Sequence, residues 1–175
     1  MSEKMDTSCA YCMKGELVAK FAYPVCDMKT GYLYLFREQS KRGRVILAHH
    51  RHISELIELT DEERNDFFAD IAAVSRAVHK VFHPNKVNYG AYGDTGCHLH
   101  FHLVPKYEGG DEWGGVFQMN PEKVYLKDEE VGGQAVLGRQ SFCTTPWLTE
   151  RHGYDPTLEA EDTSIIMTMD QMLKD

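Results

Sequence analysis

From position 97 to 104 the chain reads Cys-His-Leu-His-Phe-His-Leu-Val, alternating imidazole and apolar side chains. A period of two belongs to a β-strand, in which successive side chains point to opposite faces. Leu99, Phe101 and Leu103 then share one face, which must be buried. His98, His100 and His102 share the other. This pattern calls for an antiparallel sheet packed on one side, with the three imidazoles presented on the opposite side. By the same alternation Cys97 falls on the core side as a small buried hydrophobe, and Pro105 closes the strand.

The cover for the buried face is legible upstream. Phe67, Ile71, Val74, Val78 and Val81 recur at steps of three and four, the apolar stripe of a helix. Thr60, followed by Glu63, forms a capping box at its start, and Asp61, Glu62 and Glu63 suit the positive end of the helix dipole. Pro84 stops it. Further strands are expected at residues 17–23 (ending at Pro24), 31–36, 44–48 and 86–92. Residues 39–43 form a turn between two of them, and the glycine-flanked residues 93–96 a turn before the histidine row. Residues 108–133 are loop-like and glycine-rich, with Trp113. The composition becomes acidic from about residue 144, and residues 164–173 suggest a short terminal helix.

With 175 residues the chain fits one domain and a tail. No apolar run approaches the ~20 residues of a membrane span, and the first residues lack the apolar core of a secretory signal, so no membrane partner and a cytoplasmic location are expected. The net charge of −8 repels nucleic acid, which argues for a small phosphate ligand held by local groups over a polymer. In a reducing compartment the five cysteines read as thiols or metal ligands.

Three imidazoles aligned on a rigid strand suit chemistry at phosphorus. Neutral imidazole is a competent nucleophile, and a neighbouring histidine can stabilise negative charge or assist a leaving group. The row His98-Leu-His100-Phe-His102-Leu-Val matches the histidine triad pattern, and from about Cys9 to Trp113 the chain resembles the histidine triad family of nucleotide hydrolases and transferases. That resemblance implies an α+β fold: an antiparallel sheet of about five strands with a long helix packed on one face, usually paired as a homodimer. It implies a catalytic domain over residues 1–133, leaving 134–175 as an acidic C-terminal extension. It also implies that His100 attacks the α-phosphorus of a nucleotide, an adenine nucleotide by expectation, and forms a nucleotidyl-histidine intermediate. His102 would contact the phosphate or the leaving oxygen. Asn88 resembles an asparagine near the site, and Glu38 the acid that holds ribose hydroxyls. Phe36 and Ile46 would line a base pocket. Here Asp94-Thr95-Gly96-Cys97 replaces the Gln-Ser pair of the phosphoramidase branch; Thr95 can still donate to phosphate, whereas Asp94 would repel it. A non-catalytic nucleotide-binding or zinc scaffold protein of the same fold is the alternative.

Cys9-x-x-Cys12 supplies two thiolates at zinc-knuckle spacing, though a redox dithiol has the same spacing. Resemblance to zinc-containing relatives completes a structural zinc site of Cys9, Cys12, His52 and His98. His49 or His50 could stand in for His52.

Overall fold

The computed structural model describes residues 6–110, 112–119 and 121–125. The expected acidic extension, its terminal helix, Cys143 and His152 lie outside these residues. Two short helical turns, α1 (Ala10–Met13) and α2 (Gly15–Ala19), precede the strands β1 (Ala22–Asp27), β2 (Gly31–Phe36) and β3 (Val45–His49). A single 3-10 turn at Leu56–Glu58 leads into the long helix α3 (Asp61–Phe82), followed by β4 (Lys86–Gly90) and β5 (His100–Lys106). The strands form one five-stranded sheet in the order β1-β2-β3-β5-β4, antiparallel throughout. This is the expected α+β architecture.

The helix begins and ends as its sequence dictates. The Glu63 N–H donates to Thr60 Oγ1 at 3.2 Å, and the Thr60 N–H donates to the Glu63 carboxylate at 2.8 Å. At the other end His83 takes a left-handed conformation (φ 49°) immediately before Pro84. Between them Phe67, Ile71, Val74 and Val78 pack against Leu33, Leu35, Val45, Leu47, Leu99, Phe101 and Leu103. Burying side chains of this size contributes roughly 1.5–3 kcal/mol each, and the apolar half of the histidine row is anchored by it.

Several local expectations are corrected. Residues 15–19 are helical, and β1 begins only at Ala22 and runs through Pro24. Proline is tolerated there because β1 is an edge strand, and the register shifts by a bulge between Pro24 and Cys26. Likewise Pro105 lies within β5, opposite Val87. The last β5 residue paired with β3 is Leu103, so at Pro105 the strand has only β4 beside it. The regular strand starts at His100; Leu99 still falls on the buried side with Phe101 and Leu103, but the alternation does not reach Cys97. Cys97 is accordingly exposed instead of buried in the core.

The second face of the sheet is not open. Tyr32, Tyr34, Ile46 and Ala48 are buried there with Ala22 of β1 and Val18 of α2, and Tyr11, Phe21 and Phe36 pack around them. The cause is in β2 and β3, whose residues are apolar on both faces and need cover on both. The N-terminal turns supply that cover and roof part of the histidine row. No described helix is long and apolar enough to cross a membrane.

Candidate active site and metal centre

The triad divides into two groups. His100 and His102 lie on β5 opposite Ala48 and Ile46 of β3, on the face away from α3. His98 precedes the strand, is buried, and turns toward the N-terminal cysteines.

There the side chains of Cys9, Cys12, His52 and His98 bring one donor atom each to within 4.8 Å of all the others. His98 Nδ1 lies 3.4 Å from Cys9 Sγ, 3.6 Å from Cys12 Sγ and 3.3 Å from His52 Nδ1. Cys12 Sγ is 3.1 Å from His52 Nδ1. Ideal zinc bond lengths place tetrahedral nitrogens roughly 3.3–3.4 Å apart, and sulfur and nitrogen roughly 3.5–3.6 Å apart. The three His98 spacings fit a small tetrahedral cation, and the Cys12–His52 pair is closer than that ideal. The surroundings fit as well. His98 Nε2–H donates to the His49 carbonyl at 2.7 Å, which leaves the Nδ1 lone pair facing the sulfurs. The Asp6 carboxylate lies 3.7 Å from His52 Nε2, on the ring edge away from the cluster. Burial and neighbouring Cys9 push the Cys12 thiol up to about 11, a penalty that a bound cation reverses by deprotonating its ligands. The two other histidines of this stretch are engaged elsewhere. His49 packs edge-on against Phe67 and accepts from the Arg51 N–H, while His50 Nε2 lies 3.1 Å from the Met28 carbonyl and 3.2 Å from Asp27.

His100 borders a hollow of about 760 Å³, lined also by Tyr11, Tyr92, Asp94, Thr95, Cys97 and Met119 among others. That volume lies within the range of small-ligand sites. His100 Nδ1–H donates to the His98 carbonyl at 2.6 Å, so the remaining ring nitrogen, Nε2, carries a lone pair. Burial lowers the pKa of His100 below its ordinary value, and the Arg44 charge acts in the same direction. Tyr11, set between the two cysteines, packs its ring 5.1 Å from His100 and 5.2 Å from His98. The metal cluster and the histidine pair are thus joined by one side chain.

His102 is buried behind His100, with ring centres 5.2 Å apart, and burial pushes its pKa down to about 3. It is therefore neutral near pH 7, able to donate a hydrogen bond but not to act as an imidazolium acid.

The other candidates are distributed more widely. Thr95 lies in the hollow with His100, whereas Asn88, on the same face of β4 as His102, lines a separate small hollow with Lys86, Lys106 and Trp113. Phe36 packs edge-on against His102, at 6.0 Å, and does not line the His100 hollow; nor does Ile46, a buried core residue. Glu38 is buried, accepting from the N–H groups of Ser40 and Val124, and it too lies outside the hollow lining. Sequence reasoning missed Tyr11, Arg44 and Asp6. Only Tyr11 carried a signal, its place inside the Cys-x-x-Cys knuckle.

Residues 30–109 match the HIT domain family model. Protein hit of Bacillus subtilis (strain 168) is 28% identical over 100 residues, covering 54% of this chain and 69% of the relative. An AP-4-A phosphorylase of Mycobacterium tuberculosis (strain ATCC 25618 / H37Rv) is 35% identical over 75 residues, 39% of this chain and 38% of the relative. An asymmetrical bis(5'-nucleosyl)-tetraphosphatase of Schizosaccharomyces pombe is 30% identical over 69 residues, 37% and 38% respectively. The chain therefore spans well under half the length of the two relatives named as enzymes. Among solved structures, a histidine triad protein from Bradyrhizobium japonicum shares the fold with a TM-score of 0.60 at 19% identity, covering 67% of this chain and 87% of the other. A protein of Streptococcus mutans UA159 aligns at TM-score 0.54 and 25% identity, with 70% and 80% covered. The histidine motif and the sheet topology agree with the match of residues 30–109 to the HIT domain family model.

Proposed function

We propose that this chain is a nucleotidyl hydrolase or transferase in which His100 Nε2 attacks the α-phosphorus of a small nucleotide donor. The observation that carries this reading is the bond from His100 Nδ1–H to the His98 carbonyl, which leaves a lone pair on the other nitrogen of a ring bordering a nucleotide-sized hollow. Two relatives whose names denote enzymes acting on dinucleoside tetraphosphates support the substrate class.

In the first step a bond forms between Nε2 and phosphorus, and the bond from phosphorus to the leaving group breaks. The imidazole ring becomes cationic, and the His98 carbonyl, already holding Nδ1–H, stabilises that charge. His102, neutral, contributes a hydrogen bond to the phosphoryl oxygens and keeps its proton. Thr95, which lines the His100 hollow, adds a hydroxyl or N–H donor. In the second step water or another acceptor attacks phosphorus, the phosphorus–nitrogen bond breaks, and neutral His100 returns with release of the nucleotide. Two covalent steps replace one difficult displacement.

Cys9, Cys12, His52 and His98 would hold a zinc ion with a closed shell of four protein donors, so its contribution is structural. We place the catalytic unit in residues 1–133, acting on adenine nucleotides in the cytoplasm as a homodimer.

Incubation with adenosine phosphoramidate and with diadenosine tetraphosphate tests the reading. Release of AMP from at least one of them is expected. Failure to turn over any nucleotidyl donor would leave a nucleotide-binding or scaffold protein instead.

A further inference from the structure

Arg44 is among the most deeply buried large side chains of the described residues, 1% exposed, and it lies beside the histidine pair. Residues of its kind are almost never buried without a partner, because the guanidinium cannot shed its charge. Its Nε–H donates to His102 Nδ1 at 3.3 Å, and its Nη1–H to the Met119 carbonyl at 3.0 Å. A second contact runs from Nη2 to Met119 Sδ at 3.6 Å, and the guanidinium stacks 4.2 Å from the Phe36 ring centre. The Glu38 carboxylate, itself buried, lies 3.9 Å from Nη1 and balances the charge. The sheet fixes this arrangement: Val45, next in sequence, pairs with Leu103, and Ile46 pairs with His102.

One consequence is chemical. Arginine has five donors and no acceptor, so a ring nitrogen bonded to it must be the unprotonated one. His102 is then held with its proton on Nε2, and among the described residues Nε2 has no hydrogen-bond partner. His100 is held the opposite way, with its proton on Nδ1 and a lone pair on Nε2. Two identical side chains on one strand face are thus set as nucleophile and donor by two different neighbours.

We infer that Arg44 is a positioning residue that locks His102 as the Nε2–H tautomer, so that His102 offers a hydrogen-bond donor to the phosphoryl group under attack. This rests on the proposed role of His100, but the tautomer lock is measurable without it.

The test is a long-range proton–nitrogen correlation spectrum of protein labelled with ¹⁵N-histidine. In the unmutated protein near pH 7, His102 should show a protonated Nε2 and an unprotonated Nδ1. Arg44→Met, which keeps bulk but has no donor, should give a mixture of tautomers. Arg44→Lys, which restores a cationic donor, should return His102 toward the Nε2–H form. A protonated Nδ1 on His102 in the unmutated protein overturns the inference with no variant required, and so does an unchanged tautomer in folded Arg44→Met. With a turned-over donor, Arg44→Met should lower kcat by about 100-fold while KM changes by less than about threefold, the pattern of an interaction made mainly in the transition state. Unchanged kcat would remove the catalytic consequence. Absence of turnover in the unmutated protein, with the tautomer as described, would count against the proposed function and leave the Arg44–His102 lock standing.

Discussion

Replacing His100 by alanine is expected to lower kcat by on the order of 10⁴-fold or more while leaving the fold intact. The size of the effect follows from the role. If Nε2 forms the covalent bond, no neighbouring group can substitute: His102 has its lone pair bound to Arg44, and His98 has its own facing the cysteines. What remains is binding and the donors in the hollow, which act on a direct attack by water far less effectively. The fold should tolerate the change because the ring packs on Tyr11 and His102 at the roofed but incompletely covered face of the sheet, bordering the hollow. The core on the other face, built from Leu99, Phe101 and Leu103, is untouched. A stability loss of about 1 kcal/mol is typical of such a site and would move the melting temperature by roughly 2–4 °C at this chain length. Steady-state kinetics and a thermal melt read both quantities. Near-normal kcat in the variant would show that another group does the chemistry.

The second large effect concerns the metal cluster. Cys12→Ser, or removal of the metal by a strong chelator, is expected to abolish stoichiometric zinc binding and to lower the melting temperature by about 10 °C or more. Structural zinc contributes apparent free energies of about 10–16 kcal/mol in isolated zinc-finger peptides. Here the sheet and α3 have their own core, so only part of that is at stake; a loss of about 4 kcal/mol corresponds to roughly 8–16 °C. The segment that depends on it is identifiable. The turn α1 is only four residues long and cannot persist alone, yet it carries Tyr11 over His98 and His100. Without the cation, Cys12 is a protonated, half-buried thiol and the buried His98 loses the partner for its lone pair. Elemental analysis and differential scanning calorimetry check the outcome. A purified protein without metal, melting at the same temperature before and after chelation, would contradict it.

The fold was largely legible because its signals are repeated and local. The stripe from Phe67 to Val78 and the Thr60–Glu63 box specify α3, and Leu99, Phe101 and Leu103 specify the buried side of β5. What was misread has physical causes of two kinds. Pro24 and Pro105 look like strand terminators, but each sits where the sheet leaves one side of its strand unpaired, a property of strand order and not of local sequence. Cys97 reads as a core residue by an alternation that does not reach it, since the regular strand starts only at His100. At the site, the set Cys9, Cys12, His52 and His98 came from resemblance, and the structure brings their donor atoms together. Arg44 was invisible in the sequence. An arginine after a glycine turn looks like a solvated strand end, and its burial arises from β3 lying next to β5 and from Phe36 and residue 119 closing around it. For the same reason Glu38, which the resemblance implies as the acid holding ribose hydroxyls, is drawn inward beside that arginine.

The most direct test is to trap the covalent intermediate. Protein incubated briefly with a labelled nucleotidyl donor, quenched under alkaline denaturing conditions and digested should yield one modified peptide, with a nucleoside monophosphate on the imidazole of His100. The label should be lost on mild acid treatment, as a phosphorus–nitrogen bond requires. A label on Thr95, Cys97 or any other side chain, or turnover of the same donor with no label on His100 at any time, would contradict the account.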